Sequence, residues 1–417
     1  ARTNTTVVVV TVTTAFANAN ANTDWSLGAF STTTGFPSCV SFFEQRLVFA
    51  ASINNPQTVY FSKSGDYENM DANIGGTVAD DDAIIYTIAS NQVNAIRFMS
   101  SARTLIIGTA GGEFVVSGGG DNNAVTPTNI MIKKQSNHGA ANVDAISVGN
   151  ATLFLQRAKR KIRELAYNFD VDGYIAPDLT ILAEHITEGN VVEMAYQEEP
   201  LAIIWCVRGD GQLIALTYQR EQEVVAWHRH IIGGSFGTGN AVVESVAVIP
   251  TEDSEYELYV VVKRTINNIT RRYVEYLHTF NFTETDNTSF NYLDSQLSLS
   301  KLQTTLTAGI NAAVTTVPVA SVSGLSTAGK IKIGGEIIAY TGISTLNLTG
   351  CTRGQNLTTA VAHLSGAVTK EVVNTISGLN HLEGQTVSIL ADGATHPTKV
   401  VDANGAITLD RFATDVK

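Results

Sequence analysis

Charge is scarce in this chain of 417 residues, with Asp, Glu, Lys and Arg making up 16% of it. That is below the quarter usual in globular domains. Basic residues are outnumbered 27 to 39 by acids, for a net charge of −12. A surface that wraps a phosphate backbone needs Lys/Arg clusters, so nucleic-acid wrapping is not expected. The three cysteines, Cys39, Cys206 and Cys351, are too few and too widely spaced for a disulfide framework or a CxxC zinc site. Cys206 lies in the apolar run IIWCV, where cysteine acts as a small hydrophobe. No apolar run approaches the length of about 18 residues that a membrane helix needs, and no charged-then-apolar leader is visible. The chain opens without Met just ahead of the β-rich run TTVVVVTVTT and closes on DRFATDVK; it is expected to be a piece, trimmed at either end.

What the chain has instead is Thr, Val, Asn, Ala, Ser and Gly, with a hydrophobic fraction of 44%. That mixture favours strands and turns and can fill a sizeable core. Helical turns are expected at most in short stretches such as 142–146 and 176–184. Five segments share one plan of apolar strand, polar turn and apolar strand: RLVFAASINNPQTVYFSKSG (46–65), RTLIIGTAGGEFVVSG (103–118), ATLFLQRAKRKIRELAYNF (151–169), LAIIWCVRGDGQLIALTYQ (201–219) and ELYVVVKRTINNITRRYVEYL (257–277). Their turns carry Asn, Asp or Gly where hairpins need positive φ, or a basic run at 159–161. The units recur about every 50 residues, the spacing of a four-stranded propeller blade. Stretches 91–100, 143–150 and 242–250 read as strands leading into the hairpins. A string of β-sandwiches would place strands every 8–12 residues without that longer period.

The expected fold is therefore all-β. A β-propeller of five or six blades spans 25–302, after an N-terminal β segment at 1–24. The character changes near residue 303, where acids almost vanish. Residues 303–371 read as an inserted small β-barrel or sandwich module, and 372–417 as an incomplete C-terminal β unit.

Chemistry-bearing constellations are weak. His228 and His230 share a strand face and could hold zinc with a third ligand, but no matching partner occurs, so they read as an exposed strand end. Asp80, Asp81 and Asp82 lack the alternation and Gly turn of a calcium loop and read as a solvated loop between blades. Glu198–Glu199 and Glu221/Glu223 sit in polar turns and say nothing of a paired-carboxylate site. Lys159, Arg160 and Lys161, with Arg163, form the one dense basic run, on a hairpin turn. Ser62–Tyr67 approaches an Asp-box but has Gly and Asp in the wrong order. No P-loop, HExxH or GxSxG is present. Trp227 reads as an anchor between blades. No catalytic residue, metal or cofactor is expected.

The stretches FFEQRLVFAASINNPQTVYFSKSGDYENM (42–70), DDAIIYTIASNQVNAIRFMSSARTLIIGTAGGEFVVSG (81–118), RKIRELAYNFDVDGYIAPDLTILAEHI (160–186), LAIIWCVRGDGQLIALTYQREQEVVAWHRH (201–230) and GLNHLEGQTVSILADG (378–393) resemble the tail nozzle proteins, or tail tubular protein B, of short-tailed bacteriophages. The likeness covers most of 12–300 and again 376–410. The 304–369 module resembles a variable insert of phage tail proteins. The resemblance implies a structural virion protein at the distal end of the tail, made in the host cytoplasm. It implies a homo-hexameric ring that continues and gates the DNA channel, with a tail adaptor and tail fibres or spikes as neighbours. Double-stranded DNA would pass without specific binding, and a host surface could be touched. No catalytic residue is implied. Asp80–Asp82, Lys159–Lys161, His228 and His230 are then candidates for channel or subunit contacts. The alternative is a carbohydrate-binding, receptor-recognising tail protein using the 303–371 module.

Overall fold

The computed structural model describes residues 29–73, 76–89, 94–120, 123–252, 255–278 and 293–417; the N-terminal β segment expected at 1–24 lies outside them. Contacts cluster the chain into two compact units, 1–142 and 143–417. The chain is all-β. Among the described residues the only helical turns are two short 3₁₀ segments, Arg220–Gln222 and Asn380–Leu382. The stretches 142–146 and 176–184 form bends and turns rather than helix. Side chains of Asp178 and Thr180 bond locally there, a pattern that competes with helix formation.

The first unit holds two antiparallel four-stranded meanders. Sheet A is Cys39–Phe43, Arg46–Ala50, Thr58–Phe61 and Ile84–Thr87; sheet B is Ile96–Ser101, Leu105–Thr109, Gly112–Gly118 and Ile130–Ser136. Their inner strands are covered on both faces, which is why TVYF and LIIGT read as unbroken apolar runs rather than alternating ones. One core joins the two sheets through Val48, Phe61, Ile84, Leu105, Ile107 and Phe114.

The second unit continues the plan. Sheet C is Ile146–Val148, Ala151–Leu155, Ile162–Asn168 and Gly173–Ile175; sheet D is Val191–Gln197, Ile203–Arg208, Leu213–Gln219 and Val224–His230. Sheet E shows three strands among the described residues: Val242–Pro250, Tyr256–Ile266 and Ile269–Leu277. All five hairpins expected from the repeat lie in these five blade-type sheets. The Asn267–Asn268 turn shows why the sequence chose asparagine: both residues have positive φ, 50° and 60°, as a tight hairpin demands. Sheets D and E share a core of Trp205, Leu213, Ala215, Val243, Val260 and Val262. Burying each large apolar side chain contributes about 1.5–3 kcal/mol.

Residues 303–371 have a core of their own. One sheet contains Gln303–Thr305, Gly329–Ile333, Glu336–Tyr340, Thr352–Gln355 and the start of the long strand Val368–Ile376. A three-stranded sheet of Thr316–Pro318, Gly342–Ser344 and Asn347–Thr349 accompanies it, and Leu306, Val317, Ile331, Ile338, Tyr340 and Leu348 fill the interior. The far half of Val368–Ile376 pairs with Ile407–Ala413. Leu299–Ser300, just before the module, pairs with Asp415–Val416. The module thus leaves and rejoins one C-terminal sheet system.

Candidate functional site

The Asp80–Asp82 loop does not lie between two sheets. It connects the third and fourth strands of sheet A, Thr58–Phe61 and Ile84–Thr87. Its conformation is set by Arg46, which is 3% exposed. The guanidinium donates to the carbonyls of Ser62 (2.8 Å), Asp80 (2.8 Å) and Asp82 (2.6 Å). A buried arginine normally takes a carboxylate; here three carbonyl dipoles satisfy its planar fork. Asp82 is buried, accepting from the Ala79 N–H at 2.8 Å with Lys63 at 3.5 Å. Asp80 and Asp81 face solvent, and Asp81 pairs with Lys63 at 3.1 Å.

The basic run also divides. Lys161 points back onto the chain, 2.7 Å from Asp178 and 3.0 Å from Glu184, and these carboxylates hold its ammonium above the usual lysine range. Arg163 donates to Gln156 and to the Ala176 carbonyl. Both side chains therefore pin the 176–190 connection to sheet C. Arg160 is exposed, and Lys159 is at the positive-φ corner of the turn.

His228 and His230 form no exposed strand end. Their strand, Val224–His230, is the outermost of sheet D, but its register places both rings on the face that carries Trp205. The imidazoles form a chain: Thr217 Oγ1 to His228 Nε2 at 3.1 Å, His228 Nδ1 to His230 Nε2 at 2.7 Å, and His230 Nδ1 to Asp294 Oδ1 at 2.8 Å. With Asp294 ionised, each ring donates from Nδ1 and accepts at Nε2, and the Thr217 hydroxyl donates at the far end. Burial, then the neighbouring His230, lowers the pKa of His228. The His230 hydrogen bond holds the Asp294 carboxyl below its ordinary value. Ser295 adds a bond from the Gly233 N–H at 2.7 Å. The arrangement latches the segment entering the C-terminal sheets onto sheet D. Beside it opens a polar cleft of about 450 Å³, lined by Arg208, Asp210, Gln212, His230, Phe236 and Asn240.

Trp227 is half-buried. Its Nε1 donates to the Leu179 carbonyl at 2.8 Å, anchoring the C-to-D connection. The buried tryptophan of the D–E core is Trp205, which donates to Gln197 at 2.8 Å. Glu198, Glu199 and Glu221 come together with Tyr196 and Tyr218 around an open cleft of about 690 Å³. Nothing in sequence spacing joins Asp294 to His230 or Arg46 to Asp80; both pairings are made by tertiary packing. Among the described residues no three His, Cys, Asp or Glu side chains converge as a metal-binding set. The two buried thiols, Cys206 and Cys351, have raised pKa values through burial, which makes them poor nucleophiles.

No protein-family model and no curated protein matches the chain. Among solved structures, the β-propeller domain of Cps50 from Myceliophteria thermophila is similar at 12% identity and TM-score 0.34, over 81% of this chain and 96% of that one. YCF48 from Cyanidioschyzon merolae is similar at 11% identity and TM-score 0.33, over 81% and 95%. An auxiliary nutrient binding protein from Bacteroides thetaiotaomicron has 8% identity and TM-score 0.32, over 60% of this chain and 58% of its own length.

Proposed function

We propose that the chain is a structural virion protein, a subunit of the distal nozzle ring of a short phage tail, which continues and gates the DNA-ejection channel. The long stretches that resemble tail nozzle proteins support it. The observation that carries it further is the disposal of charge on a rigid β scaffold. The chain is acidic overall, and Lys63, Lys161, Arg220, Arg264 and Arg353 are each engaged by a carboxylate of the same chain. The excess of acids on such a surface repels a passing polyanion overall, so it slides rather than binds. Face-to-face sheets with close-packed cores resist deformation, which suits a conduit.

The receptor-binding alternative ranks second. Sugar sites are usually lined with exposed aromatic rings. The 303–371 module has one aromatic residue, Tyr340, and it is buried. The test is antibody labelling of the chain in virions, together with sedimentation of the purified full chain. Label at the tail tip and a ring-sized particle support the nozzle reading. Label absent from tails, or retention of the chain on host polysaccharide through the module, refutes it.

A further inference from the structure

The cleft bordered by Glu198, Glu199 and Glu221 has a counterpart at the opposite end of the same pair of sheets. Its walls are the Gly149–Asn150 turn of sheet C and the 198–202 and 219–222 turns of sheet D. In a meander, successive turns alternate ends. The basic turn 156–161, one strand further on, therefore lies at the other end of Ala151–Leu155. The backbone bond from Val191 N to Lys159 O places it beside the start of sheet D's first strand, away from the cleft.

Two independent features mark the cleft as unfinished. Glu198, Glu199 and Glu221 are exposed, and none forms an ion pair among the described residues. The one cation there, Arg220, is held by Glu164 at 2.6 Å and by Asn150 at 2.5 Å. Tyr218 lines the cleft and is 2% exposed; its hydroxyl faces the Glu164 carboxylate, which Arg220 also holds, and its oxygen accepts no hydrogen bond among the described residues. A buried phenol oxygen that accepts nothing keeps an unsatisfied lone pair until a donor reaches it. At the other end, Arg157 and Arg160 are exposed, and neither Lys159 nor Arg160 pairs with a carboxylate among the described residues.

We propose that the acidic cleft receives the basic 157–160 turn of a second copy of the chain. The strand between the two features is five residues long, about 17 Å of rigid β structure. The turn therefore cannot fold back into its own cleft, and the complementarity is satisfied only between copies. A guanidinium or ammonium entering the cleft meets three carboxylates and gives the Tyr218 hydroxyl a donor. Because cleft and turn are different surfaces, the contact is heterologous, head to tail, the kind that generates rings when its rotation closes. The inference deepens the nozzle reading by naming which surfaces meet, and rests on it only for the partner being a copy of the chain.

The test uses charge reversal in the full chain. One variant is Glu198→Lys/Glu199→Lys, the other Lys159→Glu/Arg160→Glu. Each alone sets like charges against each other and is expected to lower the association constant at least about tenfold in sedimentation at low salt. Mixed one to one, the two variants restore opposite charges at every contact, and association returns. Tyr218→Phe removes the acceptor that an entering cation would reach and leaves Glu164 its Arg220 partner; it is expected to weaken association, and it decides the matter if a reversal variant fails to fold. The proposal is overturned if the variants associate like the parent, if the mixture of folded variants stays dissociated, or if the parent is monomeric up to about 100 µM. It also falls if Tyr218→Phe associates like the parent. Tail-tip labelling answers for the nozzle reading separately, so a labelled tip with unaffected variants removes this contact alone.

Discussion

Removing the Glu336 carboxylate tests the electrostatics of the 303–371 module most sharply. Its side chain is 0% exposed and accepts five hydrogen bonds: Arg353 Nε and Nη2 at 2.7 Å each, His363 Nε2 at 2.8 Å, Gly354 N at 3.0 Å and Val361 N at 3.1 Å. Burial by itself would raise this carboxyl; Arg353, then Val361, His363 and Gly354, outweigh it and hold the pKa at about 2. Glu336→Ala leaves the Arg353 guanidinium, 7% exposed, without its counter-charge. Arg353 keeps the carbonyls of Asn311 and Val361. Stranding one member of a buried pair costs about 3–5 kcal/mol, and that range is the expected loss. Glu336→Gln, which keeps an acceptor oxygen, is expected to cost about half as much. The three tryptophans of the chain lie outside the module and do not report on it. The assay is native-state hydrogen exchange of amides in 336–340 and 352–363. Because the folded carboxyl is depressed below its unfolded value of about 4.3, its contribution is full above that value and is lost as pH falls towards 2. Unchanged protection in Glu336→Ala, or no pH dependence between 5 and 2, refutes the reasoning.

Three further outcomes follow from the same physics. Arg46→Met orphans the buried carbonyls of Ser62 and Asp82 and frees that of Asp80; the loss is about 2–4 kcal/mol, read as faster exchange of amides 79–84. The depressed pKa of His228 means that the unfolded chain binds the proton first. Stability of the second unit should therefore fall as pH drops below about 6.5, and His228→Gln should flatten that limb of a urea-denaturation series. Gly211 has φ of 86°, and a Cβ there would lie 2.4 Å from Val242 Cγ1. Gly211→Ala is expected to cost about 2 kcal/mol, visible as a lower melting temperature.

The hairpin frame was legible because it is local. Apolar runs such as ATLFL and IIWCV, bounded by Gly, Asn and Asp turns, place strands without reference to the rest of the chain. The module boundary near 303 was legible as a change of composition. The candidate sites were not legible in the same way. His228 and His230 share a face, as a strand requires, but their exposure is decided by Trp205 and Asp294, the latter 64 residues away. Asp80–Asp82 looked like a connection between sheets because the loop joining the two strands of sheet A is long. Arg46, which organises it, resembles any other charged residue at a strand start. Tyr218 and Glu199 lie at the same end of sheet D, and it is the Gly149–Asn150 turn of sheet C that makes a cleft of that end.

The central claim, a nozzle subunit built from blade-type sheets, is tested most directly by a reconstruction of the intact tail at a resolution that traces strands. The account predicts this chain as a six-fold ring at the distal end, with an acidic surface towards the channel and the 157–160 turn of each copy at its neighbour's Glu198–Glu199 turn. A tail whose distal ring is traced to a different chain would contradict it.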